Sequence, residues 1–175
     1  MPCPLQTAQR GLTLIELLMA LTVAAVLFGL AAPSYSALMQ RLASEAAARQ
    51  LFSALTLARA QALSARQAVI VCPGQGRCSG DGRWEAGYLV GIDANRNDRL
   101  EPGERVIWQA GAAARVTILS NTGRPQLRYL PTGRASGTNA TFRVCPRLPV
   151  ANATRVLVVN NAGRVRWGRG DCPAA

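Results

Sequence analysis

The sequence predicts an α+β protein in which one long N-terminal helix lies against an antiparallel β head. Three observations carry that expectation. A long apolar run near the N-terminus passes into an alanine-rich stretch with helical spacing. After Gln67 the hydrophobic period falls from about 3.6 to about 2. Glycine and proline, absent from residues 34–66, become frequent from that point on.

Residues 11–32 are the stretch around which the chain is organised. From Leu12 there are 21 consecutive residues whose only charge is Glu16, and a helix of that length spans roughly 30 Å of hydrocarbon. This predicts a membrane helix over residues 12–33. A carboxylate within such a span costs a few kcal/mol or more and persists where something neutralises it. Cutting the chain between Gly11 and Leu12 would place a new α-amino group one helical turn from Glu16. Arg10-Gly11 followed by Leu12-Thr13-Leu14-Ile15-Glu16 resembles the processing site of type IV prepilins and type II secretion pseudopilins. The resemblance implies that residues 1–11 are a leader removed by a prepilin peptidase in the inner membrane, which then methylates the amino group of Leu12. It also implies that Glu16 pairs with a neighbouring subunit's terminal amine during assembly. Leu12 departs from the family pattern, whose usual first mature residue is Phe. A plain signal-anchor with a stray acid is the competing reading. A cleaved secretory signal fits less well, because the apolar run is too long and lacks a small-x-small exit before Pro33.

Residues 1–10 form a short polar leader whose only basic side chain is Arg10, and Cys3 would leave with it. Pro33 follows the span and predicts a kink, at the distance from the cut where many pilins bend. Residues 34–66 predict an amphipathic stalk helix. Leu38, Leu42, Leu51, Leu55 and Ala62 recur near the helical period, with Arg41, Glu45, Arg49, Arg59 and Arg66 mostly elsewhere on the wheel.

Residues 67–175 predict the β head. Strand-like runs fall at 68–72, 88–93, 106–109, 116–119, 126–130, 141–145, 155–159 and 164–167, separated by turn signals such as Pro73-Gly74, Pro102-Gly103, Pro131-Thr132-Gly133 and residues 160–163. Four cysteines belong to it: Cys72, Cys78, Cys145 and Cys172. An even count in a domain delivered to an oxidising compartment predicts two disulfides, with three connectivities open. We favour Cys72 with Cys78, closing a short glycine-rich loop, and Cys145 with Cys172, pinning the C-terminus. A zinc site is the competitor, but the spacing of Cys72 and Cys78 is too long and no histidine helps.

Composition narrows function. All 20 basic side chains are arginine, against nine acids, for a formal net charge of +11, so an anionic partner is expected. Histidine is absent, which removes Ser-His-Asp and Cys-His catalysis and every histidine-containing metal site. No enzymatic activity, cofactor or metal is expected. Asp93, Asn95, Asn97, Asp98 and Glu104 approach a calcium-loop pattern, but Asp98 takes the glycine position and Pro102 disturbs the loop's end. An acidic hairpin loop is the simpler reading. Arg169-Gly170-Asp171 and the two Asn-x-Thr sequons at Asn139 and Asn152 are assigned no role.

Cys72-Pro73, Cys78, Trp84, Gly87-Tyr88, the Asn-rich loop after Asp93, Gly103-Glu104 and the closing Gly163-Arg164-Val165-Arg166 together resemble the H-type pseudopilin and FimT-like minor pilin group. The resemblance implies a type IV pilin-like fold, a single-pass inner-membrane subunit with a cytoplasmic N-terminus and periplasmic head, and a place at the cell surface after assembly with other pilins. Two functions compete within the group: DNA capture by a pilus for natural transformation, and pseudopilus assembly in type II secretion. The Gly-Arg-x-Arg pattern at Gly163, Arg164 and Arg166 resembles the DNA-binding motif of FimT-like pilins. On a strand, alternation puts Arg164 and Arg166 on one face, roughly 7 Å apart, within reach of successive phosphates of double-stranded DNA. Such contacts bind without reading sequence. Arg169 extends the patch, while Arg134, Arg143 and Arg147 depend on the fold. Trp167 is expected in the core or at its rim.

Overall fold

The computed structural model describes residues 13–121, 125–137 and 139–173, apart from the side chains of residues 30–33. Gly11 and Leu12 lie outside the described residues, as does the side chain of Pro33, on which the expected kink rests. Helix α1 runs Leu14–Ala65, and the chain divides into two compact units after Ala37. Among the described residues of the first unit the large apolar side chains, such as Leu14, Ile15, Met19, Leu27 and Phe28, are exposed. Among the described residues no single helix is long and apolar enough to cross a membrane; Leu14–Gly29 and Ser34–Ala65 meet the length and composition test only together.

The second unit contains residues 38–65 of α1 and all eight strands: β1 (Ala68–Pro73), β2 (Tyr88–Asp93), β3 (Val106–Ala110), β4 (Val116–Ser120), β5 (Leu127–Tyr129), β6 (Ala140–Pro146), β7 (Arg155–Val159) and β8 (Val165–Gly168). Each lies within two residues of a β-like run bounded by turn residues. They form two four-stranded antiparallel sheets, ordered β3-β2-β1-β5 and β4-β6-β7-β8. One core joins them to the helix. Leu51, Leu55, Ala58 and Ala62 of α1 meet Val69, Val90 and Tyr129 of the first sheet and Ile118, Phe142 and Leu157 of the second. Trp84, from a short 3-10 turn, packs its edge against Phe142 at 4.9 Å between centroids.

Leu38 and Leu42 do not join that core and are about half exposed. The buried face of the helix begins with Gln40 and Ser44, and two residues on an α-helix are about 200° apart, so these leucines face the other way. Both expected disulfides form, Cys72 with Cys78 and Cys145 with Cys172.

The outer face of the first sheet carries a second, smaller core of Ile70, Cys72, Leu89 and Leu100. Leu100 comes from the loop after β2 and sits over Gly91, where an added Cβ would lie 2.3 Å from its Cδ1. Gly91→Val is therefore expected to expel Leu100 and cost about 1–3 kcal/mol. Urea unfolding checks the cost, and faster hydrogen exchange confined to residues 94–104 checks the cause.

That loop folds on its own acids. The buried Asp93 carboxylate accepts the Asn97 and Asp98 backbone N–H groups at 3.1 and 3.2 Å, and Arg128 reaches Asp98 at 2.8 Å. Glu104 accepts from the N–H groups of Ala94 and Glu101. Its carboxylates thus serve as turn acceptors. Among the described residues no cluster of three or more His, Cys, Asp or Glu forms a metal site.

Candidate nucleic-acid interface

The Gly163-Arg164-Val165-Arg166 stretch forms the second half of the β7–β8 hairpin. Gly163 donates its N–H to the Asn160 carbonyl at 2.8 Å, and Asn160 donates its own to the Arg164 carbonyl at 3.1 Å. With Gly163 at φ +75°, this is a type I turn closed by a left-handed residue, a hairpin geometry that favours glycine. The Asn160 side chain also accepts the Arg164 N–H at 2.9 Å.

Gly163 is buried, so it positions its neighbours instead of touching a ligand. A Cβ on it would lie 2.0 Å from the Gly133 carbonyl oxygen, in the turn between β5 and β6. Arg59 of α1 donates its Nε–H to that same carbonyl at 3.1 Å. The two turns are further joined by the Ala135 N–H, which donates to the Asn161 carbonyl at 3.2 Å.

Arg164 is exposed just before β8, and Arg166 is exposed within it. Val165 packs against the core, and Trp167 stacks on Phe52 of α1 with ring centroids 5.6 Å apart and planes 3° apart. Alternation then puts Arg166 on the sheet's outer face. Trp167 remains 47% exposed and belongs to the rim.

Arg143 shares that outer face. It pairs in register with Val156, itself opposite Gly168, one row from Arg166. Position 170 lies over Val156 beside Arg143, since an added Cβ there would meet Val156 Cγ2 at 3.7 Å and Arg143 Nε at 3.9 Å. Arg169 is exposed on this tail, which Cys172 ties to β6. Arg147, also exposed, follows β6 and donates its backbone N–H to the Arg115 carbonyl.

Charge is segregated along the chain. From residue 105 onward there are eleven arginines and one acid, Asp171. Among the described residues the ion pairs engage Arg49, Arg83, Arg128 and Arg155, and none engages Arg134, Arg164, Arg166 or Arg169. Glu45, held well below the usual carboxylate range by Arg155 and then Arg49, ties α1 to β7. Burial pushes the Tyr129 hydroxyl up, so it stays neutral beside Arg59. The result is a positive surface over the second sheet. Sequence reasoning missed Arg59 and Gly133, because nothing in the local pattern marks a contact across 74 residues between them.

The comparisons agree with this architecture. Residues 47–163 match the family of the type II transport protein GspH, and residues 6–32 match the prokaryotic N-terminal methylation motif. The chain is 37% identical over 168 residues to the pilin-like protein PilA1 of Thermus thermophilus, covering 90% of this chain and 97% of that one. Its fold resembles the type IV minor pilin FimU of Pseudomonas aeruginosa, at TM-score 0.57 and 23% identity, over 71% of this chain and 92% of that one. It also resembles the minor pseudopilin EpsH of the Vibrio cholerae type 2 secretion system, at TM-score 0.53 and 15% identity, over 71% and 94%. The chain belongs to the GspH family of type IV minor pilins and H-type pseudopilins.

Proposed function

We propose that this minor pilin is cut after Gly11, methylated at Leu12, held in the inner membrane by residues 12–33 and assembled into a type IV pilus, where its head captures double-stranded DNA through Arg164, Arg166 and Arg169. One observation carries the reading. Three exposed arginines, free of ion pairs among the described residues, sit on or beside the edge strand β8, in a chain segment, residues 105–175, that has a single acid. Guanidinium groups so presented contact phosphates without reading bases, and the binding is salt-dependent.

The test is binding of random-sequence duplex DNA by residues 34–175 at several salt concentrations, wild type against Arg164→Gln with Arg166→Gln. Each lost phosphate contact lowers the slope of log affinity against log salt by about 0.9, so the double variant is expected to lose nearly two units and at least tenfold in affinity at low salt. Absence of binding by a folded wild-type head defeats the reading.

The second reading is an H-type pseudopilin in type II secretion, its head contacting other minor subunits. The family that matches residues 47–163 is named for a type II transport protein, which supports it. Under this reading the double variant secretes and assembles as wild type does.

A further inference from the structure

The β5–β6 turn has no part in the Gly-Arg-x-Arg stretch by sequence, yet it is packed against it. The Gly133 carbonyl occupies the space a side chain at position 163 would need. Gly133 is itself pressed on α1, where an added Cβ would meet Leu63 Cδ2 at 2.9 Å, and its φ of +74° favours glycine. Arg134 follows directly, and its carbonyl accepts the Leu130 N–H at 2.8 Å, closing the turn. Arg134 and Arg164 are therefore each one residue from a backbone contact between two rigid turns. Both are exposed. Asp93 and Asp98, the acids at this end of β1, are taken up by Arg128.

We propose that this turn is the second arm of the nucleic-acid site. Arg134 meets a backbone phosphate beside the one met by Arg164, and Arg59, through the Gly133 carbonyl, is the positioning residue that fixes the distance between the arms. The inference rests on the DNA-capture reading. Its specific content is that a phosphodiester backbone runs across both turns, from β8 toward the C-terminal end of α1. The Arg59 guanidinium spends a hydrogen bond on Gly133 and is half-buried, so it acts through the turn and adds no phosphate contact of its own. Two arms held by backbone packing lose little entropy on binding, which favours their use as a rigid pair.

The experiment measures duplex binding by the full chain in an uncharged detergent, across salt concentrations, for wild type, Arg134→Gln, Arg59→Gln and Arg77→Gln. Arg77 is the control for lost charge. It is exposed beyond the C-terminal end of β1, whereas β5 enters the Gly133 turn at the other end, where Tyr129 pairs with Val69. Arg134→Gln is expected to weaken binding about fivefold and to lower the salt slope by about 0.9. Arg59→Gln is expected to weaken binding by a similar factor with the slope unchanged. Arg77→Gln is expected to stay within twofold of wild type. If Arg134→Gln behaves like Arg77→Gln while wild type binds, the second arm is wrong and the DNA reading survives. If Arg59→Gln lowers the slope or leaves affinity unchanged, its positioning role is wrong. If wild type fails to bind, the DNA reading falls and this inference with it.

Discussion

Gly163→Ala is expected to destabilise the head by about 3 kcal/mol, a large effect for one added methyl group. Two terms add. At φ +75° an L side chain costs roughly 1–2 kcal/mol. The new Cβ would then lie 2.0 Å from the Gly133 carbonyl oxygen, and overpacking of this kind costs about 1–3 kcal/mol. Relief by movement is blocked, because Gly133 already rests on Leu63 and its carbonyl is held by Arg59. The β5–β6 and β7–β8 turns must therefore part, with loss of the Ala135 to Asn161 hydrogen bond. Urea unfolding of the head measures the change. A loss under 1 kcal/mol would show that the two turns are not in contact. The variant would also bind DNA weakly with both arginines intact, which separates the glycine's positional role from the arginines' contacts.

The elements were legible because each is a local pattern. β-like runs between turn residues located all eight strands to within two residues, and alanine content with helical spacing predicted a helix over residues 34–66, which α1 covers to Ala65. The even cysteine count predicted two disulfides, and of the three connectivities left open the favoured one is the one that forms. What could not be read was the pairing of strands distant in sequence. β1 lies between β2 and β5, and β4 joins the second sheet instead of its chain neighbour β3; no property of residues 116–120 distinguishes the two sheets. The same limit hid the site's supports. Arg59 reads as one more charged residue on a polar helix face, and Gly133 as an ordinary turn glycine. Their role appears only once the fold brings residues 59, 133 and 163 together. Leu38 and Leu42 were misplaced for a simpler reason: apolarity at helical spacing defines a stripe, while the head meets a different one, starting at Gln40.

Removing the Cys145–Cys172 bridge is expected to cost more than removing Cys72–Cys78. The two bonds span 27 and 6 residues in sequence, and loop-closure entropy gives about 3.6 and about 2.2 kcal/mol respectively at 25 °C. Geometry widens the difference. β8 is an edge strand paired with β7 alone, and the tail after Gly168 has the bridge and the Thr154 hydroxyl contact to Cys172 as its anchors among the described residues. Without the bridge the tail leaves its place over Val156, and Arg169, which the tail carries, loses its fixed position. Arg164 and Arg166 stay, because the β7–β8 ladder and the stack of Trp167 on Phe52 do not depend on the bond. Urea unfolding of Cys145→Ala with Cys172→Ala against Cys72→Ala with Cys78→Ala tests the order. DNA binding by the first pair tests the consequence: a loss limited to the single contact of Arg169, about 0.9 in salt slope, leaves β8 as the principal site. A loss as large as that of the Arg164 and Arg166 double variant would make the tail, and the bond that holds it, the center of recognition.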